Sequence, residues 1–154
     1  MNIGFTIGKF SPFHKGHQYL IETGISEMDK FIVIVYDTDL SKVPTEKRAG
    51  WIETLYPNVD VRIAHNPPSQ YGLDDESVKI QMEYLYEIIK DDNVTHFYSS
   101  EPYGAKVAEY LNIVDRQVDP ERKVYPISGS SIRFDLKGAQ KWLEDDIYKD
   151  LLND

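Results

Sequence analysis

The 154-residue chain contains no cysteine, which removes disulfides, thiolate zinc sites and a cysteine nucleophile from consideration. It also lacks any run near the ~18 consecutive apolar residues that a membrane-spanning helix needs. The opening "MNIGFTIG" has neither a basic n-region nor a long apolar core, so the expected address is the cytoplasm. Clustered positive charge is missing as well: 17 Lys and Arg stand against 26 Asp and Glu, and the formal net charge is −9. A long nucleic-acid backbone would be repelled by such a surface. A small polyanion would not, because a cleft needs only a few local cations and backbone N–H groups. Internal repeats and low-complexity linkers are absent too.

What is present suits one globular unit over residues 1–154, with 41% hydrophobic and 28% charged residues. Short runs rich in β-branched and aromatic residues stand at 3–8 (IGFTIG), 31–36 (FIVIVY), 59–64 (VDVRIA) and 94–99 (VTHFYS), with a weaker one at 112–118. Between them, Leu20, Ile21, Gly24, Ile25 and Met28 share a helical face, as do Val78, Met82, Leu85 and Ile89. Strand and helix alternate, which predicts an α/β, Rossmann-like doubly wound parallel sheet of about five strands. Ligands of such sheets sit beyond the carboxyl ends of the strands. The last thirty residues read as helices, one over 128–137 stopped by Gly138, then Ala139 to Leu152 with Trp142, Leu143, Ile147 and Leu151 inward. The proline-containing stretch 65–75 (HNPPSQYGLDD) is either a plain connection or a functional loop.

The segment "GKFSPFHKGH" (8–17) carries the first chemistry. Gly8 ends a strand where a backbone can approach a ligand, and Gly16 opens the following helix. His14 and His17, three apart, project to about the same side of its first turn, with Lys9 able to reach across. Unpaired N–H groups at the helix start add to these donors, so a phosphate would fit. The plainer reading makes His14 a loop residue and His17 a half-buried helix residue. A zinc site lacks an obvious third ligand, and the histidines at 14, 17, 65 and 96 are too scattered for a metal module. A second segment, "ISGSSIR" (127–133), places Ser128 or Ser130 as a helix cap with Arg133 one turn on. It reads either as an ordinary capped helix or as another phosphate site.

Together the two segments resemble the HxGH and ISxxxIR signatures of the nucleotidyltransferase superfamily, in order and about a hundred residues apart. "GKF" with "PFH" is similar to the nicotinamide-mononucleotide adenylyltransferases of the NadR and archaeal types. The resemblance covers nearly the whole chain and implies adenylyl transfer from Mg²⁺-bound ATP to nicotinamide mononucleotide, giving NAD and pyrophosphate. On this resemblance His17 donates to the α-phosphate, His14 and Lys9 bind ATP phosphates, and Arg133 holds the departing pyrophosphate. Gly8, Phe10, Gly16, Ser128, Ser130 and Ser131 line the phosphates, while Ser99, Ser100 and Glu101 of "YSSEPYG" meet adenine and ribose. Arg48 and Trp51 of "VPTEKRAGWI" would supply a cation for the mononucleotide phosphate and a ring for stacking, with core packing the other reading of Trp51. Magnesium would be carried by the phosphates without a dedicated protein cage, and Asp37 and Asp39 are either a solvated turn or contacts to its waters. "VDPER" (118–122) also resembles the NadR pattern, without an assignable role.

NadR-type proteins usually continue into a kinase domain; these 154 residues hold no GxxxxGK[ST] loop, so kinase activity is not expected of them. A cytidylyltransferase, the pantetheine-phosphate adenylyltransferase or a non-catalytic ATP sensor would share the two end motifs. Nucleic acid and membrane are not expected as partners, and a homo-oligomer would be unsurprising.

Overall fold

Residues 1–69 and 72–153 are described in a computed structural model. Five strands, β1 (Ile3–Gly8), β2 (Lys30–Tyr36), β3 (Asp60–Ala64), β4 (His96–Ser99) and β5 (Val114–Gln117), form one sheet in the order β3-β2-β1-β4-β5. Every pairing is parallel, with Gly4 opposite both Phe31 and His96. The predicted α/β doubly wound sheet is therefore observed. Among the described residues six α-helices accompany it: α1 (Lys15–Glu27), α2 (Thr45–Leu55), α3 (Asp75–Ile89), α4 (Gly104–Leu111), α5 (Gly129–Phe134) and α6 (Asp145–Leu152).

Strand β2 shows how the sequence builds both layers. Its residues alternate between faces, as side chains two apart must. Phe31, Val33 and Val35 join Ile21, Ile52, Ile132 and Ile147 in one core. Ile32 and Ile34 join Met82, Leu85, Ile89 and Val107 in the other. A strand buried on both faces reads as a continuous apolar run, which is why "FIVIVY" was so plain a signal.

Helix starts are specified locally. Asp74 caps α3 by accepting from Ser77 N at 3.1 Å, and Asp75 and Glu76 follow where the helix dipole favours negative charge. Asn112 ends α4 in the left-handed region at φ 56°.

Three sequence expectations are corrected. Ile25 is 42% exposed, so the inward face of α1 runs through Gln18, Leu20, Ile21 and Gly24. Gly138 does not stop a helix: α5 ends at Asp135, whose carboxylate takes the Gly138 N–H at 3.1 Å, and a 3₁₀ turn covers Lys137–Trp142. The expected helix from Ala139 to Leu152 is broken at Leu143 and Glu144, both extended, although Leu143 and Ile147 are buried as foreseen.

The chain runs from β1 outward to β2 and β3, then crosses back to place β4 on the other side of β1. Between β1 and β4 the connections diverge, and their carboxyl ends frame a crevice of the kind in which open α/β sheets hold ligands.

Candidate active site

A cavity of about 690 Å³ opens at that crevice. On the β4–β5 side it is lined by Ser99, Ser100, Glu101, Arg122, Ser128 and Arg133, and on the β2–β3 side by Tyr36, Leu40, Pro67, Pro68, Leu73 and Tyr84. Gly8, Lys9, Phe10, His14, Gly16 and His17 lie along its middle. The floor of the site is thus the segment from the end of β1 to the first turn of α1.

Both histidines are held by the helix they begin. His14 is the N-cap of α1, and its Nδ1 accepts from Gly16 N at 3.0 Å. His17 reaches back so that its own Nδ1 accepts from His14 N at 3.2 Å. This is the reciprocal capping pattern usually made by Ser or Thr with Glu or Gln. With Nδ1 an acceptor in both rings, the neutral tautomer carries its proton on Nε2, and each imidazole keeps one N–H to donate. The two rings stack at 3.7 Å between centroids. Phe10 meets His17 edge-on at 4.9 Å, and Phe13 lies parallel to it at 5.9 Å.

That enclosure sets the charge state. Burial, with a smaller push from the Arg122 guanidinium, lowers the His14 pKa to about 4. His17 is held well below the ordinary imidazole value by burial, then by His14 and Arg122. At neutral pH both rings are uncharged hydrogen-bond donors, suited to a phosphate oxygen without carrying a proton to give away.

Gly16 is required here by close approach: a Cβ would stand 2.9 Å from His14 Cε1 and 3.0 Å from its Nδ1. Gly129 is the counterpart at α5, where a Cβ would lie 3.0 Å from Ser11 O and 3.1 Å from Arg133 Nη1. Arg133 donates to Ser11 O at 2.5 Å and to Ser130 Oγ at 3.3 Å, which ties the second motif onto the first. Ser128 and Ser131 repeat the reciprocal cap at α5, each hydroxyl accepting the other's N–H at 3.2 Å.

The expected site residues therefore divide. Lys9, His14, His17 and Arg133 share the cavity, as do Gly8, Phe10, Gly16, Ser99, Ser100, Glu101, Ser128 and Ser130. Ser131 is turned to capping and does not line it. Arg48 and Trp51, expected at the mononucleotide, are not among the described lining residues, and both are buried, at 1% and 7% exposure. Trp51 packs in the core around Ile52 and donates Nε1–H to Asp150 at 2.9 Å. Asp37 lines the cavity and Asp39 does not. Of stretch 65–75, Pro67, Pro68, Gly72 and Leu73 line the β3 side, while Gln70 and Tyr71 lie outside the described residues.

Residues 4–141 match the protein family described as the citrate lyase ligase C-terminal domain. The chain belongs to that family. It is a nucleotidyltransferase-like domain of the HxGH type. Among curated relatives, the trifunctional NAD biosynthesis/regulator protein NadR of Salmonella typhimurium is 34% identical over 151 residues, or 86% of this chain. The chain spans 36% of that relative's length. A crystal structure of NadR in complex with NAD and AMP-PNP superposes with a TM-score of 0.66 at 22% identity, over 92% of this chain and 44% of that one. A putative nicotinate-nucleotide adenylyltransferase from Vibrio parahaemolyticus gives 0.62 at 18%, covering 99% of both chains. At those identities the two structures attest the fold.

In this member of the citrate lyase ligase C-terminal domain family, the cavity cation beside the histidines carries no role in the sequence reading. Arg122 donates to Ile127 O at 2.7 Å and to Glu101 Oε1 at 2.8 Å, facing the histidines. It is placed by Asp119, whose carboxylate accepts the N–H groups of Lys123, Val124 and Tyr125 at 2.8–3.1 Å. An Asp-Pro pair starting a turn was the legible signal in "VDPER".

Proposed function

We propose that the domain transfers an adenylyl group from Mg·ATP to nicotinamide mononucleotide, yielding NAD and pyrophosphate. A phosphate oxygen of the mononucleotide attacks the α-phosphorus and forms a new P–O bond. The bond from that phosphorus to the α,β-bridging oxygen breaks in line, and pyrophosphate leaves with the electron pair. The nucleophile is already an anion, so neither a general base nor a covalent intermediate is needed. Alignment and charge stabilisation are what the protein must supply.

The observation that carries this reading is the pair of neutral imidazoles, each keeping an Nε2–H, among Lys9, Arg122 and Arg133 in one crevice. His17 would donate to the α-phosphate, with His14 and Lys9 on the ATP phosphates and Arg133 on the departing pyrophosphate. The apolar, aromatic wall of Tyr36, Leu40, Pro67 and Tyr84 suits a flat pyridine ring. Magnesium would arrive as Mg·ATP, held mainly by phosphate oxygens and water.

Because both histidines also cap α1, a non-catalytic ATP binder would keep them too, so turnover has to be measured. Pyrophosphate release from Mg·ATP is followed with nicotinamide mononucleotide, nicotinate mononucleotide and phosphopantetheine in parallel. Release with nicotinamide mononucleotide that His17→Ala abolishes is the expected result. ATP binding without release in any arm would instead identify a sensor, and release with phosphopantetheine alone would move the acceptor.

A further inference from the structure

Arg48 is 1% exposed and has no carboxylate in direct contact among its described hydrogen bonds. A guanidinium buried in this way is costly unless its donors are satisfied. Four of its five N–H groups are: Nε donates to Val43 O at 3.2 Å, Nη1 to Lys9 O and to Tyr36 O at 3.1 Å, and Nη2 to Thr45 Oγ1 at 2.8 Å.

The chain of bonds continues. Thr45 Oγ1 donates to Asp37 Oδ1 at 2.6 Å, and Asp37 Oδ2 accepts the N–H of Asn66 at 2.9 Å. One connected network thus crosses the carboxyl ends of β1, β2 and β3. Each end it touches carries cavity residues: Lys9 and Phe10 after β1, Tyr36 and Asp37 at β2, Pro67 and Pro68 after β3. Its first anchor, the Lys9 carbonyl, belongs to the peptide that enters Phe10, a residue in the left-handed region at φ 49°. A bulky side chain holds that conformation only where the surroundings impose it.

We propose that Arg48 is a positioning residue that, through Thr45 and Asp37, sets the spacing between the phosphate-facing loop after β1 and the cavity wall after β2 and β3. The proposal rests on the adenylyl-transfer reading and adds to it a residue that touches no substrate. Lysine cannot replace it, because a single ammonium lacks the planar fork that meets the Lys9 and Tyr36 carbonyls and the Thr45 hydroxyl together.

The test uses Thr45→Val, Thr45→Ser and Arg48→Lys with wild type, following pyrophosphate release and thermal unfolding. Thr45→Val keeps the guanidinium and removes only its hydroxyl link to Asp37. Misplacement of reacting groups by even ~1 Å can cost up to ~10²-fold in rate. Thr45→Val and Arg48→Lys are therefore expected to lower kcat about tenfold or more, with KM for ATP and acceptor changed less than about threefold. Thr45→Ser restores turnover.

If Thr45→Val keeps wild-type kcat while Arg48→Lys raises the KM of one phosphate substrate, Arg48 is a ligand contact and the proposal falls. Lower melting temperatures with unchanged kcat per folded molecule would also overturn it. Absence of release from wild type would refute the adenylyl-transfer reading instead. In that event calorimetry with a non-hydrolysable Mg·ATP analogue decides: Thr45→Val must bind about twofold to threefold more weakly than Thr45→Ser, and equal affinities reject the positioning role.

Discussion

Folding stability should fall steeply between pH 6.5 and 4, and His14 should account for much of it. In the unfolded chain its imidazole takes a proton near 6.5, whereas in the folded chain it resists until about 4. Between those values the unfolded state binds more protons, so stability is fully present above 6.5 and is lost as pH falls through the window. The full displacement, about 2.5 pH units at about 1.4 kcal/mol each, is about 3 kcal/mol. Integrated from pH 7.5 down to 4.5 the loss is about 2.5 kcal/mol, a large share of a typical 5–15 kcal/mol. His17, also depressed, pushes the same way. Lowered carboxylates such as Asp37 and Asp92 titrate below this window, under their ordinary 3.8.

Urea unfolding at pH 7.5, 6.5, 5.5 and 4.5 for wild type and His14→Asn measures the difference. Asn keeps a side-chain oxygen for the Gly16 N–H and removes the proton site. The wild-type midpoint should drop by about 1 M more than the variant's over this range, with a slope m of about 1–3 kcal/mol/M. Parallel losses in the two proteins, or a His14 ring resonance titrating near 6.5, would refute the reasoning.

Four further outcomes are expected. On the proposed adenylyl-transfer reading, in which His17 donates to developing charge, His17→Ala should cost roughly 10²–10³ in turnover; a loss under tenfold in kcat would contradict that role. Gly16→Ala should displace the His14 ring from its stack and raise the KM for ATP, read from initial rates with the acceptor saturating. Trp51→Phe should lower stability by about 1 kcal/mol through the lost bond to Asp150 while leaving the acceptor KM unchanged; a higher acceptor KM would restore Trp51 to the site. Leu85→Ala, at a position with 0% exposure, should cost about 2–5 kcal/mol in denaturant unfolding.

The sheet was legible above all through β2, which is buried on both faces and runs apolar from Phe31 to Tyr36. The C-terminal helices were misread for a physical reason. Trp142, Leu143, Ile147 and Leu151 all contribute to the core or pack against it, so an unbroken helical period fits them, yet the chain leaves the helical region at Leu143 and re-enters at Asp145. Periodicity records which residues are covered, not whether backbone bonds run continuously between them. The two capped helix starts at α1 and α5 were legible because caps and glycines act within three residues of one another. Arg48 was not, since its acceptors Lys9 and Tyr36 are 39 and 12 residues away. Its side chain reads as a ligand cation in the sequence, and the carbonyls around it come into view only in the fold.

The order of the sheet leaves β3 and β5 at its borders. These are also its two most highly charged strands, "DVRIA" and "VDRQ", each with an aspartate and an arginine. Arg62 is tied to Asp60 at 2.8 Å and Asp92 at 2.6 Å, and Arg116 to Glu27 at 3.1 Å. Fixed charge along an open border discourages another strand from adding to it. Self-association by sheet extension, the usual route to fibrils, is thereby guarded against on both sides. The same charge favours helices or loops over strand edges as the surface of any dimer of this domain.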